Sequence, residues 1–529
     1  VRNGSILVFA FMLLSVDSPR GHAAESEASG LGGVVPVPPN QPQLFVDNFL
    51  IESQSELKRT LHQPVKDNGG RVPLIASRPG ESFLAYGTIL RDPKLKRYVM
   101  YAKNWPPFQM YRLTSPDGLD WGPPESHYAQ PIPVSLVDEK SGRKATNTDM
   151  FCVHYDEKDA EYPYRAWMWF SNWGDDLEGI FYMCSRDGIT WERRHQIVDG
   201  WAGGDDPTMR EIRQDGRVLR GPGDVTLFAY DPLSERYLGI FKFFTPYRID
   251  PANNKPAEMP EGVRKKDVPG NELRSRAYAW LDRLDAPYDT KRIERIALLP
   301  AAQKANGDMP FDEYYQSTAW RYGSMWLGGL KIWHSRDDYP YSAAGCAFLK
   351  LVSSRDGLNW KKVPFPNDSG TAEVFLPNGP EGGNDGRNDG GYISEFTQGP
   401  LRIGDELIYY YSASSWGKTQ APDVRIRGGG IFRARLRVDG FVSVDAGTLT
   451  TRPLTMEAEH LYVNGVGPIE VAIIDATGKT RAQARLTGDS LEHPVRFEGR
   501  SLREKAPAGS LRLRFSVADG GRLYSFTVR

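Results

Sequence analysis

The sequence predicts an all-β protein, a five-bladed β-propeller followed by a small C-terminal β-sandwich. Two independent turn series and the composition predict it. Three segments share the form Ser-x-Asp-Gly-x-x-Trp: Ser115 to Trp121, Ser185 to Trp191 and Ser354 to Trp360. Asp-Gly between β-rich runs marks a hairpin, because glycine accepts the positive φ that such a turn demands. The first two copies lie 70 residues apart and the second and third 169 apart, a gap that holds one degenerate copy around Asp285. Asp439-Gly440 closes a fifth unit. The second series is Asp92-Pro93, Asp156-Glu157, Asp231-Pro232 and Gly404-Asp405, each set between apolar runs. Its spacings are 64, 75 and 174 residues, so the missing member falls near Trp326 to Trp333. Both series give five units of about 65 to 90 residues, each read as a four-stranded antiparallel sheet, and such repeats close around a channel. A chain of sandwich domains would need about 100 residues per unit, which neither spacing allows. The 53 Gly, 39 Pro and 12% aromatic residues fit many tight turns between strands.

Along the chain, Arg2 precedes an apolar run of 11 residues, Ile6 to Val16, and Gly21-His22-Ala23-Ala24 supplies small residues. The run is short of the about 20 residues that span a bilayer, so residues 1–24 read as a cleaved secretion signal and the mature chain as secreted or periplasmic. Residues 25–43, rich in Gly, Pro and Ser, read as a disordered linker. The propeller is expected over 44–447 and the sandwich over 448–529, where short alternating runs such as Ile469 to Ile474 and Leu511 to Phe515 are separated by Gly and Asp. Cys152, Cys184 and Cys346 cannot all pair with one another and sit in apolar runs, so they read as core residues, with a Cys152–Cys184 bridge as the alternative. The formal net charge is −1 with no basic stripe, which argues against a nucleic-acid partner. No Cys/His cluster and no His-Glu-x-x-His is present, so the sequence gives no support for a zinc site, and no cofactor is expected.

Leu44 to Ile51 followed by Leu61-His-Gln-Pro64, Arg274-Ser-Arg276-Ala-Tyr278-Ala-Trp280, Asn378 to Gly382, and Gly430 to Ser443 resemble secreted bacterial proteins related to glycoside hydrolase family 32, of the kind common in planctomycetes. The tail from Val463 to Phe526 is similar too. The resemblance implies a five-bladed propeller whose channel is lined by three inner-strand carboxylates acting as nucleophile, transition-state stabiliser and acid/base. The chain departs from that pattern on the first blade, where an Asn-Asp-Pro-Asn motif is expected and Asp47 is the nearest acid. Arg91-Asp92-Pro93 matches the stabiliser motif in letters but reads as a turn like Asp231-Pro232, and Gly323 stands where a Glu is expected.

Glycosidic cleavage needs two carboxyl groups flanking the scissile bond, one of them kept protonated. Asp149 precedes the Asp156 turn by seven residues, and Asp224 precedes the Asp231 turn by seven. Equivalent positions in adjacent blades put both carboxylates at one channel mouth, with Glu395 or Asp389 of the fifth blade across from them. Arg276 and Tyr278 alternate in a basic and aromatic stretch suited to a carboxylate or sulfate. Trp105, Trp173, Trp320 and Trp416 lie near loop ends where rings can stack on sugars. These readings make the chain a secreted glycoside hydrolase acting on a poly- or oligosaccharide. A non-catalytic carbohydrate-binding propeller is the alternative, and a sialidase-like enzyme, echoed by the Ser-x-Asp-Gly-x-x-Trp segments, is a third.

Overall fold

The computed structural model describes residues 33–529 apart from 86, 106–108, 134–135, 138–143, 146, 172–178, 200–209, 246–247, 251–254, 258–273, 301–307, 309–311, 336–344, 368–372, 381–386, 415–428 and 507–508. It is a five-bladed β-propeller. In each blade the chain runs from an inner strand through a hairpin to a long second strand and then to a third. In the first blade the second strand is Arg97–Trp105 and the third Gln109–Ser115; in the second they are Tyr164–Ser171 and Gly179–Ser185. Arg236–Phe244 and Arg274–Leu281 serve the third blade, Met325–Ser335 and Gly345–Ser354 the fourth, and Glu406–Ser414 and Gly430–Arg437 the fifth. Each member of the second turn series joins the first two strands of its blade; the fourth, expected near Trp326 to Trp333, is Tyr322-Gly323-Ser324, because that expected stretch is itself the second strand of the blade. Among the described residues no helix is long and apolar enough to cross a membrane.

The Ser-x-Asp-Gly-x-x-Trp segments follow the third strands of blades one, two and four, and each docks on the blade before it. Asp187 shows how the turn is made: its Oδ1 accepts from the amides of Ile189 and Thr190 at 2.8 Å and from Ser185 Oγ at 3.0 Å, while Ser185 Oγ accepts from Gly188 N–H at 2.9 Å. Asp117 and Asp356 repeat these contacts. The Trp then fills an inter-blade gap: Trp191 against Tyr101 and Phe151, Trp360 stacked on Tyr278 at 4.7 Å, and Trp121 edge-on to Tyr410 of blade five. A single motif thus supplies both a turn and a blade contact.

The ring is closed by the N-terminal segment. Val65–Lys66 and Ile75–Ala76 pair with Gly430–Arg437 and supply the outer edge of blade five. Across the axis, Gln398 Nε2 donates to the carbonyl of Phe228 in blade three, and its Oε1 accepts from Thr88 Oγ1 of blade one at 2.9 Å. Thr88 Oγ1 also accepts from Val153 N–H of blade two at 2.9 Å, so Gln398 and Thr88 together tie four blades.

The C-terminal module starts with Val442–Thr451, a few residues before the expected boundary. It includes strands that the sequence reading gave to the propeller: Ile51–Leu61 pairs with Val442–Thr451, and Gln43–Leu44 pairs with Arg522–Val528. The expected linker is ordered where described, since Val35–Pro36 pairs with Leu454–Thr455. The apolar faces of these strands share one buried cluster that includes Phe45, Val471, Leu513, Phe515 and Phe526. Asp439, after the last propeller strand, accepts from Tyr322 OH at 2.6 Å, Ser525 Oγ at 2.5 Å and Asn464 Nδ2 at 3.1 Å, which fastens module to propeller. All three cysteines are free thiols; burial pushes Cys152 up to about 12.

Candidate functional site

Asp149 and Asp224 share a local conformation as well as a sequence offset. Asp149 lies on the inner strand Asn147–Tyr155 of blade two, at a bulge between Asp149 and Cys152. Asp224 lies just ahead of Leu227–Asp231, the inner strand of blade three. Each is followed by a non-glycine residue in the left-handed region, Met150 at φ 56° and Val225 at φ 53°. That region is sterically poor for any L-residue and worst for a β-branched one, so Val225 is held there by its surroundings. Their side chains keep 14% and 27% of their surface exposed.

Each carboxylate meets a buried lysine. Lys103 Nζ, on blade one, donates to Asp149 across the blade boundary, and Lys242 Nζ donates to Asp224 within blade three. Both lysines stand at the same place, six residues after the first residue of the second strand (Arg97 and Arg236), and Lys331 stands six after Met325 in blade four. All three are buried. Burial lowers the Lys242 pKa, and Asp224 opposes that shift. Sequence reasoning missed these lysines. The signal was there: each is a lone charge in an apolar strand, as in Tyr98 to Lys103 or Tyr237 to Phe244. Blade four adds a third acid, Glu313, which is buried and accepts from Arg274 Nη1.

The remaining candidates divide. Arg276 is fully buried and is not a surface for ligand; its Nη1 donates to Val225 O at 2.8 Å and its Nε to Tyr314 O at 3.1 Å. Tyr278 is also buried, stacked on Trp360 with its hydroxyl 2.8 Å from Ser317 Oγ, so it packs blades rather than a sugar. Trp320 packs toward Tyr409 and Phe441 between blades four and five. Asp389 is fully enclosed, accepts from Lys66 Nζ and from Tyr411 OH at 3.0 Å, and clamps the closing segment to blade five instead of facing the channel. Asp47 lies outside the channel, in a two-bond contact with Arg355 at 2.7 and 2.8 Å. Asp92 is a buried turn residue that accepts from Leu95 N–H and Tyr164 OH. Glu395 and Trp105 lie in strands, but their side chains are outside the described residues, as are Trp173 and Trp416 altogether. Among the described residues no group of three or more His, Cys, Asp or Glu side chains could hold a metal ion.

No protein-family model matches this chain, and no curated protein matches it. Solved structures do. A glycoside hydrolase aligns at TM-score 0.41 with 11% identity, covering 71% of this chain and 92% of its own. The exo-inulinase from Aspergillus awamori aligns at TM-score 0.37 with 10% identity, covering 88% of this chain and 97% of its own. A family 43 arabinoxylan arabinofuranohydrolase from Bacillus subtilis aligns at TM-score 0.32 with 11% identity, covering 88% and 99%.

Proposed function

We propose that the chain is a glycoside hydrolase acting on a poly- or oligosaccharide, with Asp149 and Asp224 as its working carboxylates. The observation that carries the reading is a shared arrangement in two adjacent blades: an acid followed by a left-handed non-glycine residue, each acid accepting from a buried lysine, from the preceding blade for Asp149 and from its own blade for Asp224. Backbone strain of this kind costs on the order of 1–3 kcal/mol per residue and concentrates at sites where a side chain must be aimed. A carboxylate that accepts from an ammonium group is a fixed acceptor, suited to act as nucleophile or as base toward water. Cleavage also needs a proton donor to the leaving oxygen, and Glu395 on the inner strand of blade five is the remaining candidate for it.

One observation favours a second reading. Asp149, Asp224 and Glu313 each have a cationic partner, whereas a proton donor needs surroundings that keep it neutral. A propeller that binds saccharide without cleaving it would need no such donor. Incubation with a panel of plant and algal polysaccharides, followed by reducing-end assay and proton NMR of the new anomer, separates the two. Release of sugar supports hydrolysis, and the anomer first formed tells retention from inversion. Saturable binding with no release establishes the binding module instead.

A further inference from the structure

The Asp224–Val225 unit is gripped from both ends by one cross-strand pair. Lys242 and Arg276 are directly opposite each other in the antiparallel pairing of Arg236–Phe244 with Arg274–Leu281. Lys242 takes the Asp224 carboxylate, and Arg276 takes the carbonyl of Val225. The second guanidinium bond goes to Tyr314 O on the inner strand of blade four, so the arginine plane is fixed by carbonyls from two blades. Its own backbone is tied as well: its N–H donates to Leu298 O at 2.9 Å, and its carbonyl accepts from the amides of Ala297 and Leu298 at 3.0 Å. The remaining nitrogen, Nη2, is buried with no hydrogen-bond partner among the described residues. A fully buried arginine arranged this way is expensive unless it performs a task.

We propose that Arg276 is the positioning residue of this site, holding Val225 in its left-handed conformation so that the Asp224 carboxylate stays aimed. The geometric part stands by itself; the catalytic consequence rests on the hydrolase reading. Without the bond to its carbonyl, Val225 relaxes toward the extended region that a β-branched residue prefers. That rotation swings Asp224 away from Lys242. Lysine at 276 keeps the charge but lacks the planar fork, and cannot serve Val225 O and Tyr314 O together. The flanking residues add to the hold: Thr226 Oγ1 donates to Gly223 O at 2.7 Å and accepts from Lys242 N–H at 3.2 Å.

The test is a thermal double-mutant cycle with Val225→Gly, Arg276→Met and both together. Glycine adopts the left-handed region freely, so Arg276 has less to hold there. Arg276→Met is expected to lower the melting temperature at least about twice as far in the native background as in the Val225→Gly background. Additive shifts overturn the proposal. Should Arg276→Met fail to fold, Arg276→Lys takes its place in the cycle. Arg276→Lys is also assayed on a saccharide that the native chain cleaves, with an expected fall in kcat of about tenfold or more and KM within about twofold. An unchanged kcat in Arg276→Lys, with Asp224→Asn inactive, overturns the positioning role and leaves the hydrolase reading intact. A native chain that cleaves no saccharide sinks the hydrolase reading, and the thermal cycle still decides the geometry.

Discussion

Around the boundary of blades two and three, His154 stacks on Tyr230 at 3.9 Å, with Nδ1 3.0 Å from Tyr237 OH. Burial pushes its pKa from 6.5 down to about 4. A histidine depressed on folding stabilises fully above its unfolded pKa, and that contribution is lost as pH falls through the folded value. Stability is therefore expected to drop between about pH 6.5 and 4, by up to roughly 3 kcal/mol from this group. Urea midpoints across that range should fall less steeply for His154→Phe than for the native chain; equal slopes would remove His154 as the cause. The equivalent placement of Asp149 and Asp224 was legible in the sequence because their offset from a turn is a strand property, and strand positions repeat from blade to blade. Arg276 was misread because an alternating basic and aromatic strand looks the same whether its charged face meets solvent or the next blade. Only the bonds to Val225 O and Tyr314 O separate the two.

The Ser-x-Asp-Gly-x-x-Trp turns are where element-level reasoning succeeded, since one short segment carries its whole explanation. Asp187→Ala removes the acceptor for two backbone amides and is expected to cost about 1–3 kcal/mol. Gly188 sits at φ 71°, and a Cβ there would lie 2.7 Å from Tyr101 OH and 3.0 Å from the Tyr164 ring. Gly188→Ala is thus expected to cost more than Asp187→Ala in urea unfolding; the reverse order would show that the turn does not press on blade one. The degenerate copy near Asp285 was placed by spacing alone. There Asp285 accepts from Arg283, no Gly-x-x-Trp follows, and among the described residues the chain after it meets Arg274–Leu281 through a bridge between Arg276 and Leu298. Ile51–Leu61 escaped recognition as part of the C-terminal module because most of its side chains are exposed, so no apolar alternation marks which sheet it joins. Its partner strand lies nearly 400 residues away, a pairing that local patterning cannot carry.

At the scale of the molecule, propeller and module are built to unfold together. The strand Ile51–Leu61 belongs to the module, while the next strand in the chain, Val65–Lys66, closes blade five. Asp439, Arg355 and Asp47 join the two bodies again. Calorimetry is expected to show one cooperative transition, and two resolved transitions would contradict this coupling. Asp389→Ala strands Lys66, whose pKa burial already lowers, and loosens the closing segment from Tyr411. A loss of about 3–5 kcal/mol is expected, the usual result of leaving one member of a buried pair alone. Closure of the ring was invisible in the repeat count, because the outer strand of blade five comes from the other end of the propeller sequence. The central claim is that the two strained, lysine-held acids perform chemistry on a saccharide. Its most direct test is the turnover of Asp149→Asn and Asp224→Asn on a polysaccharide that the native chain degrades, with melting temperature measured alongside. The account predicts a loss of about a thousandfold or more in kcat for each, with both variants less stable than the native chain because Lys103 or Lys242 loses its carboxylate, and still folded at the assay temperature. Full turnover by both variants would contradict it.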